Sequence, residues 1–431
     1  MTSSQMMLFG GGPPPATFIG REIAVYSSST TNFGMGVASD SSQNIYGSSL
    51  NINASGLWYA TKFNSSGANQ WFNNGIPSGG TAGSNMFSVY TNVAVDSSGN
   101  WYGCTTFQNA AGSINSGYLR KVNTSGTIQW QRKITNTANE VRAQSCALDS
   151  TGANVVVGGS CTISGNTGYW IARYNSSGVL QWQRQLTGTG LGVFNFTLTV
   201  DSSGNVILIG TANSTALVVK YNSSGTLQWQ KSIGGSSAGL CVGTDSSNDV
   251  YINYGFSSFT AMSKINAAGT SFTWSAYTNS AFGMPVFFRT TPAGNSYGFY
   301  YNGVSSMSVT SITSSGTNAW LNTLGGIGNS GGIWQDATNS YFYVAATLSN
   351  GSFPASGYFR LPMNGANTVG TLANIGPTST QSYSAGTALS LTTPSVSLNS
   401  GSVTDAAGAQ TDAAGDLTIS SGTLSTGTTS F

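Results

Sequence analysis

The residues of this sequence with the clearest potential for chemistry are aspartates that recur along the chain. Each opens a short polar turn, as in Asp96-Ser-Ser-Gly-Asn100. The set comprises Asp40, Asp96, Asp149, Asp201, Asp245 and Asp336. A calcium site needs about six to eight oxygen ligands, usually with several carboxylates together, whereas each turn offers one carboxylate, apart from Asp245 with Asp249. We therefore predict that these aspartates cap Asx-type turns, and we predict no metal site.

Basic residues form a second periodic set. Its members are Lys62, Lys121, Arg173, Lys220, Lys264 and Arg360. Six cations at one height of a ring would make a basic annulus that attracts an anionic ligand. Alternatively, their side chains cover a tryptophan of a neighbouring turn or pair with the turn aspartates. We favour the second interpretation.

Four tryptophans stand outside the repeated Gln-Trp pattern and are candidate binding residues. They are Trp58, Trp101, Trp170 and Trp334. Exposed aromatic rings stack on sugars and form hot spots in protein interfaces. The alternative, which we favour, is that these indoles pack in the core between structural units.

The composition excludes several classes of enzyme. Among 431 residues there is no histidine, which removes Ser-His-Asp triads, Cys-His dyads and histidine-ligated metal centres. Outside the turn aspartates, the remaining acids are Glu22, Glu140, Asp249 and three aspartates near the C-terminus. We expect no catalytic residues, no cofactor and, with a net charge of +2, no nucleic-acid partner.

The turns that carry these residues belong to an internal repeat. One unit reads Lys121-Val-Asn-Thr-Ser-Gly-Thr-Ile-Gln-Trp-Gln131, and similar units contain a turn glycine every 44–59 residues. These glycines are Gly67, Gly126, Gly178, Gly225, Gly269, Gly316 and Gly365. Each unit has four short runs rich in Val, Ile, Tyr and Trp, joined by turns in which glycine supplies positive φ. The repeat predicts an all-β, seven-bladed β-propeller of four-stranded antiparallel blades over residues 18–372.

The repeat units resemble the SBBP-type bacterial β-propeller repeat. That pattern joins a Val-Asp-x-x-Gly-Asn-hydrophobic-Tyr turn to a Lys-hydrophobic-Asn-x-x-Gly turn, and the resemblance covers roughly residues 36–372. It implies the propeller fold and no particular activity. Two segments compete to complete the last blade and close the ring, Gly20–Tyr26 and Thr368–Leu372, and the sequence does not decide between them.

Two segments lie outside the predicted ring. Residues 1–17 contain Gly-Gly-Gly-Pro-Pro-Pro15 and are expected to form a flexible arm. Residues 373–431 are rich in Ser, Thr and Gly and keep short alternating patterns. We expect this C-terminal extension either to be a flexible tail or, preferably, to pair its strands with other subunits or a larger assembly. The four cysteines, without CxxC spacing, are expected to be buried free thiols.

These features together predict a non-catalytic structural protein of a tailed-bacteriophage virion, on the tail, a fibre or the capsid surface. They are the absence of a signal peptide, the low charge, the Gly/Pro start, the propeller and the strand-prone extension. The combination resembles virion structural proteins of marine phages and cyanophages. Its partners would be other virion proteins, further copies of itself and a host-surface glycan or protein, without membrane insertion. The alternative is a bacterial surface or exported propeller that binds glycan or protein.

Overall fold

The computed structural model of the chain consists of β-strands joined by turns and loops. It describes residues 20–23, 32–51, 58–65, 68–77, 93–108, 115–135, 140–163, 165–188, 190–193, 196–233, 236–256, 259–277, 285–301, 306–325, 327–335, 341–350, 353–362, 373–374, 384–385, 391–392, 397–400, 404–407 and 410–414. The predicted N-terminal arm, 1–17, lies outside these residues. Among the described residues, no helix has the length and apolarity that crossing a membrane requires.

The strands up to residue 362 form the body of the molecule. In chain order they are β1 (Gly20–Ile23), β2 (Asn32–Ser39), β3 (Ile45–Asn51), β4 (Trp58–Phe63), β5 (Asn69–Pro77), β6 (Val93–Val95), β7 (Trp101–Gln108), β8 (Asn115–Val122), β9 (Ile128–Thr135), β10 (Ser145–Leu148), β11 (Asn154–Ile163), β12 (Asn166–Asn175), β13 (Leu180–Thr187), β14 (Thr197–Val200), β15 (Val206–Ala212), β16 (Thr215–Tyr221), β17 (Leu227–Ile233), β18 (Ser236–Thr244), β19 (Val250–Phe256), β20 (Phe259–Ile265), β21 (Phe272–Tyr277), β22 (Pro285–Thr290), β23 (Ser296–Tyr301), β24 (Ser306–Ile312), β25 (Asn318–Gly325), β26 (Ile327–Gln335), β27 (Tyr341–Asn350) and β28 (Phe353–Pro362).

Six short strands follow in the C-terminal extension. They are β29 (Ala373–Asn374), β30 (Ser384–Ala385), β31 (Leu391–Thr392), β32 (Ser397–Ser400), β33 (Thr404–Ala407) and β34 (Gln410–Ala414).

Consecutive groups of four strands form antiparallel blades, as the repeat predicts. Blades 1 to 6 are built in turn from β2–β5, β6–β9, β10–β13, β14–β17, β18–β21 and β22–β25. The first strands of neighbouring sheets contact one another, and β26 contacts both β22 and β2, so that these strands surround a common axis. The β-propeller architecture is therefore confirmed.

The predicted set of seven four-stranded blades is wrong. Six blades, not seven, consist of four consecutive strands of the chain, and each of these six carries a fifth strand. The remaining sheet, which we call the closing sheet, has the order β1-β28-β27-β26. It combines the N-terminal strand β1 with three strands from residues 327–362. Its outer strand, β1, pairs antiparallel with β28, with Gly20 opposite Phe359. The N-terminal segment therefore closes the ring, while Thr368–Leu372 lies outside the described residues.

The fifth strands come from the C-terminal extension. β29 pairs with β25, β30 with β21, β31 with β17, β32 with β13, β33 with β9 and β34 with β5, always antiparallel. The extension thus lies along the outer edges of blades 6 to 1 in reverse order. Pairing with other subunits is the arrangement that the sequence favours. In the structure, these strands pair with their own chain, because each outer blade edge offers unpaired backbone groups close by.

The hydrophobic core lies between the blades rather than within any one of them. Blades 2 and 3, for example, share a cluster that includes Tyr102, Leu119, Val155 and Trp170. Similar clusters join blades 1 and 2, 3 and 4, 4 and 5, and 5 and 6, as well as blade 1 and the closing sheet. The four cysteines are buried free thiols, as predicted. Each sheet therefore depends on its neighbours for burial of its apolar faces.

Candidate functional site

The turn aspartates build one end of the propeller, where the first and second strands of each blade meet. In blade 4, Oδ1 of Asp201 accepts hydrogen bonds from the backbone N–H groups of Ser203 and Asn205 at 3.0 and 2.9 Å. Its Oδ2 accepts from Nδ2 of Asn205 at 2.9 Å. The turns at Asp40, Asp96, Asp149 and Asp245 also bind their aspartate side chain to following backbone N–H groups. The predicted Asx-type caps are confirmed at these five positions, and Asp336 lies outside the described residues.

Three of the six periodic cations pair with turn aspartates. The distances from cation nitrogen to Oδ2 are 2.8 Å for Arg173 and Asp149, 3.0 Å for Lys220 and Asp201, and 3.0 Å for Lys264 and Asp245. These cations are neutralised in place, so they do not form the basic annulus considered in the sequence analysis. The favoured alternative, pairing with the turn aspartates, is confirmed for these three.

The other periodic cations differ in their surroundings. Nζ of Lys62 lies 5.0 Å from the centre of the Tyr46 ring. Nζ of Lys121 lies 5.2 Å from the centre of the Tyr102 ring and donates a hydrogen bond to the carbonyl of Ser176 at 3.0 Å. Arg360 belongs to β28, where its backbone lies opposite Tyr343. The described side chains of Lys62 and Lys121 thus contact aromatic rings of the repeat itself.

The ionisation of the paired groups reflects these contacts. Burial opposes the charge of Lys264, but hydrogen bonds involving Tyr251, Asp249 and Asp245 outweigh it and raise the pKa of the ammonium group. Burial likewise opposes the charge of Asp149, and hydrogen bonds from Asn154 and Thr151 together with Arg173 lower the pKa of that carboxyl group. Both groups are therefore held in their charged forms and are unsuited to proton transfer near neutral pH.

The repeated Gln-Trp residues join each blade to the next. Nε1 of Trp130 donates to the carbonyl of Ser176 at 2.9 Å, and Nε1 of Trp182 donates to the carbonyl of Ser223 at 3.0 Å. The indole lies flat against the turn glycine, so that a Cβ at Gly178 would approach Trp130 to 2.7 Å. The same joint forms between Trp71 and Gly126, Trp182 and Gly225, Trp229 and Gly269, and Trp274 and Gly316. Glycine is required there both for the close approach and for a positive φ.

The candidate binding tryptophans do not form an exposed platform. Trp58, Trp101 and Trp170 are 1%, 0% and 0% exposed. Nε1 of Trp58 donates to Oγ of Ser48, and Nε1 of Trp170 donates to the carbonyl of Arg142, both at 2.9 Å. Three of the four candidates are therefore core residues, as the favoured alternative stated. Trp334 belongs to β26, where its backbone lies opposite Tyr343.

The end with the aspartate turns varies little in the length of its connections and is internally bonded. Every first-to-second connection in blades 1 to 6 contains five residues between strands. Adjacent turns also bind one another: Oγ of Ser202 donates to Oδ1 of Asn248 at 2.7 Å, and Nδ2 of Asn248 donates to Oγ of Ser203 at 2.9 Å. We call this end the turn end; its polar groups are engaged largely with each other.

The opposite end, which we call the loop end, carries the variable connections. Its fourth-to-first connections range from one residue, between Gly325 and Ile327, to 15 residues, between Pro77 and Val93. In blade 3, Glu140 and Arg142 form an ion pair at this end. Gln144 accepts from the N–H of Ser160 at 2.8 Å and donates to the carbonyl of Val193 at 3.0 Å.

In the sequence, Glu140 stands out only as one of the remaining acids, and nothing marks this polar group. Its members share no repeat position, so periodicity gave no signal for it. Among the residues that the structure describes, no group of three or more His, Cys, Asp or Glu is placed to hold a metal ion. The loop end can engage a partner through polar side chains, carbonyls and loops of varied length.

Comparisons with known proteins assign no family to this chain. No family model matches the chain, and no curated protein matches it. Among solved structures, it is similar to the Dos1 propeller, with 8% identity, a TM-score of 0.39, and coverage of 75% of this chain and 66% of that one. It is also similar to the NanB sialidase from Streptococcus pneumoniae, with 10% identity, a TM-score of 0.44, and coverage of 80% and 71%.

A third similar structure is the β-propeller domain of the Trilobed protease from Pyrococcus furiosus, with 8% identity and a TM-score of 0.34. That match covers 64% of this chain and 96% of the other. At such identities and scores, the activities of these proteins carry no argument for this chain. The sheets and their order identify it, on its own structure, as an all-β propeller protein.

Proposed function

We propose that this chain is a non-catalytic structural and binding protein of a bacteriophage virion, which presents the loop end of its propeller to a host-surface glycan or protein. The observation that carries the proposal is the contrast between the two ends. At the turn end, the first-to-second connections of blades 1 to 6 all have five residues and the third-to-fourth connections have four to six, whereas connections at the loop end vary from one to 15 residues. Variable loops on a rigid scaffold are where propellers and other repeat folds build binding surfaces.

A binding role suits the way this chain uses its few charges. Within the described residues, the cations of Arg173, Lys220 and Lys264 serve ion pairs at the turn end. Recognition at the loop end would then rest on hydrogen bonds and aromatic or apolar contacts, which are weakly screened by salt. We expect affinity for the partner to change little with ionic strength.

The assignment to a virion rests on the sequence. The low charge, the Gly/Pro start and the Ser/Thr/Gly-rich extension favour it, and a bacterial surface or exported propeller is the second candidate. The two candidates predict that the protein is found with different particles or fractions. A virion protein co-sediments with phage particles and is labelled on them by antibody, whereas a bacterial surface protein fractionates with cell envelopes in the absence of phage.

The binding face is tested with two exposed residues at opposite ends of one blade. Asn166 starts β12 at the loop end, and Ser177 lies in the turn that follows β12. The variants Asn166→Arg and Ser177→Arg add the same bulky cation at the two ends. Binding to host cells, measured by flow cytometry with labelled protein, should fall several-fold for Asn166→Arg and stay unchanged for Ser177→Arg. Equal effects, or loss only with Ser177→Arg, would refute the loop end as the binding face.

A further inference from the structure

Two of the four cysteines lie in contact across the joint between blades 2 and 3. Cys104 belongs to β7 of blade 2, and Cys146 belongs to β10 of blade 3. The thiol of Cys104 forms a hydrogen bond with the thiol of Cys146. Both residues belong to the hydrophobic cluster that the two blades share, and they are 0% and 2% exposed. Two buried sulfur atoms therefore meet between two separate sheets.

Neighbouring contacts hold the two strands in place. β7 and β10 contact each other. Oγ1 of Thr106 accepts from the N–H of Ala143 at 3.0 Å and donates to its carbonyl at 3.2 Å. Side chains two residues apart on a strand share a face, so Cys104 and Thr106 both point from β7 toward blade 3. The contact between the thiols is thus part of a hydrogen-bonded joint.

We propose that Cys104 and Cys146 are a redox-sensitive pair, which hydrogen peroxide converts into a disulfide between blades 2 and 3. The sulfur of Cys146, which accepts the hydrogen bond, attacks one peroxide oxygen; the O–O bond breaks, one water leaves and a sulfenic acid remains. The sulfur of Cys104 then displaces the hydroxyl group as a second water and forms the S–S bond. The two thiols lose two electrons and two protons, and the peroxide takes up both.

Burial controls how readily this pair reacts. It raises the pKa of the Cys104 thiol, and neutral thiols are poor nucleophiles. Oxidation therefore follows the rate at which the joint opens locally, and the pair stays reduced in a compartment that regenerates thiols. The bond would close a loop of about 40 residues that contains β8 and β9, and such a loop restricts the unfolded chain. The disulfide should therefore stabilise the ring.

Cys161 supplies the matched control. It belongs to the same hydrophobic cluster and is 3% exposed. It lies on β11, four residues beyond Val157, which is the backbone partner of Cys146. Four residues of a strand span about 13 Å, which is too far for a disulfide with Cys146. Loss of Cys161 should therefore leave the reaction intact.

Thiol counting in the full chain tests the pairing. The folded protein is treated with hydrogen peroxide, the peroxide is removed with catalase, and the remaining thiols are titrated in urea. The reduced chain has four thiols. We expect the unmodified sequence and Cys161→Ala each to lose two thiols, and peptide mapping without reductant to join the peptide of Cys104 to that of Cys146. Cys104→Ala and Cys146→Ala should form no disulfide within the chain.

Urea denaturation followed through tryptophan fluorescence measures the consequence for stability. The oxidised chain should unfold at a higher urea concentration than the reduced chain, and a dithiol reductant should reverse that shift. Cys161→Ala should show the same shift, and Cys104→Ala should show none. An equal midpoint for the oxidised and reduced chains would overturn the stabilising effect.

Several results with the unmodified sequence would overturn the pairing itself, so the test does not depend on the folding of a variant. One is a disulfide that forms only when urea is present during the oxidation. Another is a disulfide that uses Cys161 or joins two chains. Four surviving thiols, or thiols lost without any disulfide, would overturn it as well.

Discussion

The buried ion pair of blade 4 supports a quantitative prediction about stability. The side chains of Lys220 and Asp201 are 6% and 0% exposed, and Nζ lies 3.0 Å from Oδ2. At that separation and an effective dielectric constant of about 20, two unit charges attract by about 5.5 kcal/mol before the cost of desolvation. Removing one partner of such a pair typically costs about 3–5 kcal/mol, because the other charge is left buried and uncompensated.

The perturbation is Asp201→Asn. The new amide oxygen can still accept the backbone hydrogen bonds from Ser203 and Asn205, so the turn remains capped while the negative charge is lost. We expect a fall of about 3 kcal/mol in the free energy of unfolding, measured by urea denaturation followed through tryptophan fluorescence. The slope of the transition should not change.

Asp96→Asn is the matched control. Asp96 caps the same kind of turn, with hydrogen bonds from the N–H groups of Ser98 and Asn100. The equivalent lysine, Lys121, donates to the carbonyl of Ser176. We expect a loss of about 1 kcal/mol, typical of one weakened hydrogen bond.

A double-mutant cycle completes the test. Lys220→Met should itself destabilise the protein, and the variant that combines it with Asp201→Asn should lose less than the sum of the two single losses, by at least about 1 kcal/mol. If Asp201→Asn costs no more than Asp96→Asn, or if the two losses in blade 4 simply add, the ion pair is not what stabilises this turn.

Three further predictions concern the blade joints, alkaline pH and the extension. Gly178→Ala should lower the free energy of unfolding by about 2–4 kcal/mol in urea denaturation. Gly165 is also at positive φ but has no atom within 4 Å of its Cβ position, so Gly165→Ala should cost only about 1 kcal/mol. Equal losses would contradict the indole contact as the cause. Burial raises the pKa of the thiols of Cys161 and Cys241 to about 12. Their neutral forms therefore stabilise the fold fully below the unfolded pKa of about 8.5, and this contribution should be lost as the pH rises from about 9 to 12. Cys241→Ala should reduce the fall of the free energy of unfolding with pH, measured by denaturation at increasing pH. An unchanged dependence on pH would refute the assignment. Truncation after residue 372 should uncover the outer edges of blades 1 to 6 and cause concentration-dependent association in analytical ultracentrifugation; a truncated chain that stays monomeric at all concentrations would argue against these edges as pairing sites.

Much of the local structure could be predicted because it depends on short-range chemistry. Asp201 and Gly204 form a turn whose hydrogen bonds span four residues or fewer, so the sequence pattern reports it directly. The strand content and the pairing of consecutive strands follow from the alternating apolar residues on either side of such turns. The repeat also indicated the propeller, because identical units that cannot bury both faces alone must stack.

The sequence left alternatives open where the answer depends on distant partners. The indoles of Trp58, Trp101 and Trp170 look the same in the sequence whether they face solvent or a neighbouring blade. Arg173 and Lys220 could equally have pointed to a ligand or to a carboxylate. The ion pair of Glu140 with Arg142 lies outside the repeat, so that no periodic signal marked it.

The sequence by itself determined the β-class, the turns and their aspartate caps, the register of the repeat and the burial of the thiols, because all of these follow from residue type and spacing within about 50 residues. Only the tertiary structure decided that β1 closes the ring, that six blades carry a fifth strand, and that the extension pairs with its own chain. Those outcomes depend on which backbone edges come together in space. Backbone hydrogen bonds are nearly the same for every residue type, so side-chain identity does not specify the partner of an edge strand.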